Sequence, residues 1–213
     1  VLIRPLFAGF GQVYQTGADA YELFVTWTVL SFPIALCSRF AATWIIWIFL
    51  VNLSTILYFA QARADEDFRH LPVILFFFHA LLLALAESLR IRSAQVWIKA
   101  VWPCEILVLL ATGWATVGAL YAIFGASADF SSAPLAVVYM ICFLAGMSAY
   151  FFLIRRIFPL TILLGSFIIV FTSLVGEQYA SDVADAFWLS LLVVAQSAGA
   201  AYFLRFAAGE RLP

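Results

Sequence analysis

Apolar residues run through this chain in long blocks, and the polar residues fall between them. Seven blocks stand out, over about residues 21–38, 40–60, 72–89, 100–124, 134–154, 157–175 and 186–204. Each is roughly 18–24 residues long, enough to cross the hydrocarbon core of a bilayer as a helix. The apolar/polar alternation of barrel strands is absent. Lipid offers the backbone no hydrogen bonds, so only helices and closed barrels span it. The pattern therefore predicts an all-α fold. We expect a polytopic transmembrane helical bundle of about seven full spans, forming a single integral membrane domain over 1–213, with a partial N-terminal helix over 1–15.

The punctuation agrees with these boundaries. Pro72, Pro103, Pro134 and Pro159 each fall at the start of a block. Proline suits a helix's first turn, where the amide it lacks would be unpaired anyway. Pro33 lies inside the first block and predicts a kink. Arg39 marks a very tight turn between the first two spans, which should form a hairpin. Arg155 and Arg156 mark a tight cationic turn, and Gly176 to Asp185 reads as an acidic loop. Ahead of the first block, Asp19 and Glu22 have the spacing of a capping box, with Gly17 able to form the turn before it.

Composition places lipid around this bundle. Of 213 residues, 66% are hydrophobic and only 11% charged, where soluble chains are nearer one quarter charged. The lipid bilayer is thus the first partner. A net charge of −1 offers nothing to nucleic acid. Basic residues are unevenly shared between the two sides: Arg39, Arg90, Arg92, Lys99, Arg155, Arg156, Arg205 and Arg211 on one, Arg4, Arg63 and Arg69 on the other. The positive-inside rule makes the richer side cytoplasmic. The first full span then starts outside and the C-terminus ends inside. Most acids, including Asp65, Glu66, Asp67, Glu177 and Asp182, fall outside, as a cation-attracting vestibule or as ordinary solvated loops. Trp97, Trp102 and Trp188 sit where interfacial anchors belong.

Ionisable and polar groups at membrane depth are the candidate chemistry. His79 lies near the middle of the third span, as a proton relay or as a neutral imidazole hydrogen-bonded across the bundle. Glu105 lies just inside the fourth, able to bind a cation or to pair with Lys99 or Arg92. By helical rise it is roughly 6–9 Å nearer the cytoplasm than His79, so only a water-linked pair is expected. Glu87 has Arg90 and Arg92 close by and reads as an interfacial ion pair. Asn52, Ser54, Thr55, Gln196 and Ser197 line a solute path or act as interhelical glue. Small residues recur at four-residue spacing, as in Ala111, Ala115 and Ala119 or Ala145 and Ala149, and read as close-packing faces.

No catalytic constellation, metal set or cofactor is legible. Cys37, Cys104 and Cys142 are isolated in apolar runs and read as core residues. Lys99 is the single lysine and sits at an interface, which excludes a retinal Schiff base deep in the last span. His70 and His79 lie about 13 Å apart along a helix and cannot be two axial ligands of one haem. No H-E-x-x-H occurs.

The run G-Q-V-Y-Q-T-G-A-D-A-Y-E-L-F, followed by a Trp-bearing span, Arg39 and W-I-I-W-I-F-L-V-N-L, resembles a bacterial family of predicted membrane proteins catalogued as domain of unknown function 2157. Gly11, Gln12, Val13, Tyr14, Gln15, Asp19, Tyr21, Leu23 and Phe24 carry the likeness, which extends to about Tyr58. The resemblance implies a bacterial inner-membrane protein and no reaction. It also implies more chain and a further span before this point, in keeping with a start at Val1 without Met. Gln12, Tyr14, Gln15 and Asp19 form an outer polar motif, read as a structural re-entry turn or as an outward-facing site.

Three function classes follow. The first is a small-solute or ion transporter, or a subunit of one, using His79, Glu105, Asn52 and Gln196. The second is a non-catalytic envelope, accessory or sensor protein with a membrane-protein partner or a second copy of itself. The third, ranked last, is an enzyme acting on lipid. No residue pattern names a substrate.

Overall fold

The computed structural model describes residues 20–62, 70–93, 95–125, 133–179 and 182–209. Among them the chain is all-α, with no strand. Helix α1 spans Ala20–Ser38, α2 Ala41–Ala62, α3 His70–Arg92, α4 Val96–Lys99, α5 Trp102–Phe124, α6 Ala133–Ser148, α7 Ile157–Tyr179 and α8 Val183–Ala207. A six-residue π-helical segment, Ala149–Ile154, continues α6. Seven of these helical stretches are long and apolar enough to cross a membrane, and the protein is a multi-pass membrane protein. Large side chains such as Leu30, Leu81, Phe152 and Leu153 stand exposed. Lipid solvates them at no hydrophobic cost, so their exposure fits a bilayer and would be anomalous in water.

The helix starts follow the prolines. Pro72, Pro103, Pro134 and Pro159 all lie within the first three residues of α3, α5, α6 and α7. Helix α1 runs through Pro33. The acidic loop is shorter than its composition suggests, because α7 continues through Gly176 and Glu177 to Tyr179 and α8 begins at Val183. Asp185 closes the start of α8, its carboxylate accepting the Asp182 amide at 2.9 Å.

Both cationic turns use the same device. Arg39 and Arg155 adopt left-handed backbone, with φ of 48° and 53°, a conformation that costs an L-residue roughly 1–2 kcal/mol. Each reverses the chain within one or two residues of a helix end. At the first, the Ser38 hydroxyl meets the Thr43 hydroxyl across the turn.

The chain divides into two compact units. The first holds α1, α2 and the segment Leu89–Pro103; the second holds Pro72–Ser88 of α3 and everything from Cys104 onward. In the first unit α1 and α2 form the expected hairpin, knitted by rings. Phe32 packs on Trp44 and Trp47, Trp44 on Trp47, and Tyr21 on Tyr58. Trp47 Nε1 donates to the Thr28 carbonyl at 3.1 Å, and Gln61 accepts the Tyr21 amide at 3.0 Å. In the second unit Val108, Tyr150, Leu160 and Leu163 make the core.

Candidate intramembrane site

The second unit contains a cavity of about 370 Å³ between α3, α5, α6 with its π-helical extension, and α7. Its wall is mostly hydrocarbon. Ala80 and Ala84 of α3, Ala111 and Ala115 of α5, and Ala145, Gly146 and Ala149 around the end of α6 all face it. Ala111 and Ala115 of α5 and Ala145 and Ala149 around the end of α6 thus line a space, whereas their spacing alone suggested close helix approach; Ala119, next on the same stripe, is buried and does not line this cavity. A methyl side chain permits either outcome; which one occurs depends on where the neighbouring backbones sit. The π-helical segment contributes Ala149, Tyr150 and Ile154 to the wall. A π-turn inserts an extra residue and swings the side chains beyond it round the helix axis, which makes such segments common at functional sites.

One charged group enters the wall. Glu87, 6% exposed, lines the cavity near the C-terminal end of α3. Arg156 Nη1 donates to its Oε1 at 3.2 Å. Their separation of 69 positions explains why sequence spacing offered only Arg90 and Arg92 as partners for Glu87. The ion pair joins α3 to the turn before α7. The second guanidinium nitrogen of Arg156, Nη2, is buried and has no hydrogen-bond partner. A buried donor left unpaired costs about 1–3 kcal/mol, so this pair is incompletely satisfied as it stands.

A second polar cluster, three hydroxyls long, joins three helices and reaches the cavity wall at Tyr139 and Ser166. The Tyr139 hydroxyl lies 2.8 Å from Ser166 Oγ, and Ser166 Oγ lies 2.6 Å from Thr116 Oγ1. Thr116 Oγ1 donates to the Thr112 carbonyl at 2.7 Å. That last bond orders the whole chain. Thr116 has one proton and gives it to a carbonyl, which can only accept. Ser166 must therefore donate to Thr116, and Tyr139 to Ser166. All three protons are committed, so the cluster offers the cavity acceptor lone pairs only. Sequence reading missed this cluster, since single hydroxyls on α5, α6 and α7 carry no local signal.

Apart from Glu87, the polar residues singled out from sequence lie elsewhere. His79 is fully buried, at 0% exposed, on α3. Its Nδ1 bonds the Leu75 carbonyl of its own helix, so Nδ1 carries a proton. Glu105 sits half-buried in the first turn of α5, where the helix dipole favours an acid. It is not hydrogen-bonded to His79. Gln196 Oε1 accepts from Thr172 at 3.3 Å, linking α8 to α7, while its Nε2 is buried without a partner. None of these three lines the cavity. Asn52 belongs to the first unit, 8% exposed, and donates to the Ile48 carbonyl at 2.8 Å. Ser54 and Thr55 likewise bond the Val51 carbonyl. Gln12, Tyr14, Gln15 and Asp19 lie outside the described residues. Among the described residues no three His, Cys, Asp or Glu side chains gather as a metal site would need.

Comparison with models of protein families, with curated proteins and with solved structures returned no match to this chain.

Proposed function

We propose that this multi-pass membrane protein is a transport-class protein, a carrier or a subunit of one, whose cargo is an amphipathic molecule. The observation that carries the reading is the cavity of the second unit. Its volume lies in the range of small-molecule sites, its wall is mostly hydrocarbon, and among the described residues its one charged lining group, Glu87, is near the end of α3. A hydrated ion would lose its water there against too few oxygens to replace it. A molecule with an apolar body and a polar end loses nothing on its body and meets charge at its end. In the orientation supported by the excess of basic residues, that end faces the cytoplasm. The resemblance over Gly11 to Tyr58 supports placing the protein in a bacterial inner membrane.

Reconstituted protein in proteoliposomes tests the reading. Movement of a fluorescent lipid analogue between leaflets should be measurable, and Ala111→Phe with Ala145→Phe should suppress it at least tenfold by filling the cavity. Equal movement with and without the filling side chains would refute an amphipathic cargo in this cavity. One observation favours proton or ion movement instead: a fully buried histidine in the middle of an apolar helix. Proton flux that disappears in His79→Ala while lipid movement is absent would select that alternative.

A further inference from the structure

We propose that the cavity holds the acyl chain of an anionic phospholipid whose phosphate is bound at its charged end by Arg155 and Arg156. The inference rests on the amphipathic-cargo reading and names the headgroup chemistry.

Three observations carry it. The first is charge. The turn at this end of the unit presents two guanidiniums in succession, Arg155 exposed and Arg156 mostly buried, against the single carboxylate of Glu87. The local balance is positive, and it abuts a hydrocarbon-lined space. The second is the unmet donor. Arg156 uses Nη1 on Glu87 and has no acceptor for Nη2. Guanidinium binds phosphate through paired donors in one plane, and a turn of this side chain about its flexible stem gives Nη2 a phosphate oxygen while Glu87 keeps Nη1. The third is placement. Arg155 holds left-handed backbone immediately after the π-helical segment, so the headgroup contact and the cavity wall are made by consecutive residues. Helix α7 begins at Ile157 and adds the positive end of its dipole to the same spot.

Size fits one chain. A space of about 370 Å³ accommodates on the order of a dozen groups of the volume of a water molecule or a methylene. That is most of one acyl chain, with its carboxyl end toward the charged turn. Glu87 acts here as a positioning residue: it holds Arg156 at the cavity end and opposes a second anion.

The test uses the full chain, extracted from nanodiscs containing equal amounts of phosphatidylglycerol and phosphatidylcholine, with retained lipid counted by native mass spectrometry. The wild type should retain one lipid, enriched in phosphatidylglycerol. Each arginine near a surface contributes about fivefold toward an anionic lipid, so Arg155→Gln should lower the enrichment about fivefold. Arg155→Lys should keep most of it. Arg156→Gln combined with Glu87→Gln, which removes both charges of the buried pair together, should lower it similarly while lipid is still retained. Raising the salt concentration should weaken the preference, and inorganic phosphate alone should not displace the lipid, because it has no chain to bury. An unchanged headgroup ratio in both Gln variants would overturn the headgroup assignment and leave the cavity reading standing. Undiminished lipid retention in Ala111→Phe with Ala145→Phe would overturn the cavity reading itself.

Discussion

Between α1 and α2 of the first unit the space is filled by rings; among α3, α5, α6 and α7 of the second it is left open by alanines and a glycine. The two regions have the same solvent and comparably apolar helices, so hydropathy does not distinguish them. Side-chain volume does. Phe32, Trp44 and Trp47 interlock with centroids 5.2–6.3 Å apart, and their polar handle is used locally, Trp47 on the Thr28 carbonyl. Ala80, Ala84, Ala111, Ala115 and Ala145 cannot reach across, and a cavity remains. The second unit has its own ring contacts, Phe143 on Phe167 and Phe151 on Phe203; around the cavity it adds an ion pair at one site and an ordered chain of hydroxyls at another. The lesson is that in lipid, where apolar surface has no drive to associate, dispersion between rings and hydrogen bonds without competing water both fasten helices, and where small side chains leave a space the polar contacts carry the larger share.

That contrast can be broken most severely at the ion pair. Arg156→Ala takes the guanidinium from a buried carboxylate, and removal of one partner of such a pair typically costs about 3–5 kcal/mol. Thermal melting of the detergent-solubilised protein should show a large loss, and Glu87→Gln in the Arg156→Ala background should restore most of it. If the single variant melts like wild type, the pair does not fasten the second unit.

The hydroxyl chain should respond next, and unequally. Ser166→Ala leaves the Tyr139 proton without its acceptor and Thr116 without its donor, at a cost of about 1–3 kcal/mol. Tyr139→Phe removes only the first donor of the chain and strands no proton, so it should cost less, about 0.5–1.5 kcal/mol. A reversed order in melting temperature would mean that the proton direction is wrong.

The smallest effect separates two neighbouring tryptophans of the first unit. Trp47→Phe gives up the bond to Thr28, and Trp44→Phe removes an Nε1 that is buried with no partner. The two changes delete the same volume. Trp47→Phe should therefore be the more destabilising by about 1 kcal/mol, read from paired denaturation curves. Equal losses would show that ring packing alone fastens this hairpin.

Some of this was legible in one dimension. Pro72, Pro103, Pro134 and Pro159 marked four helix starts because the missing amide is harmless only there. Arg39 and Arg155 marked reversals because two long apolar runs separated by one or two cations leave no room for a loop. The candidate site was largely not legible. Asn52, Ser54, Thr55 and His79 attracted notice as polar groups in apolar runs, yet each bonds a carbonyl of its own helix, one turn back. Ser166, Thr116 and Tyr139 drew none, because a hydroxyl in a transmembrane helix is unremarkable until a second helix brings another within 3 Å.

The sequence by itself determined which runs of the described residues are long and apolar enough to cross a bilayer and where the chain turns between them, since lipid demands a backbone paired within the helix and side chains that are mostly apolar. Only the tertiary structure decided that Glu87 meets Arg156, that three hydroxyls share an ordered set of protons, and that a stripe of alanines borders a cavity. Those outcomes depend on the distance between backbones far apart in the chain, and a small side chain is compatible with contact and with emptiness alike.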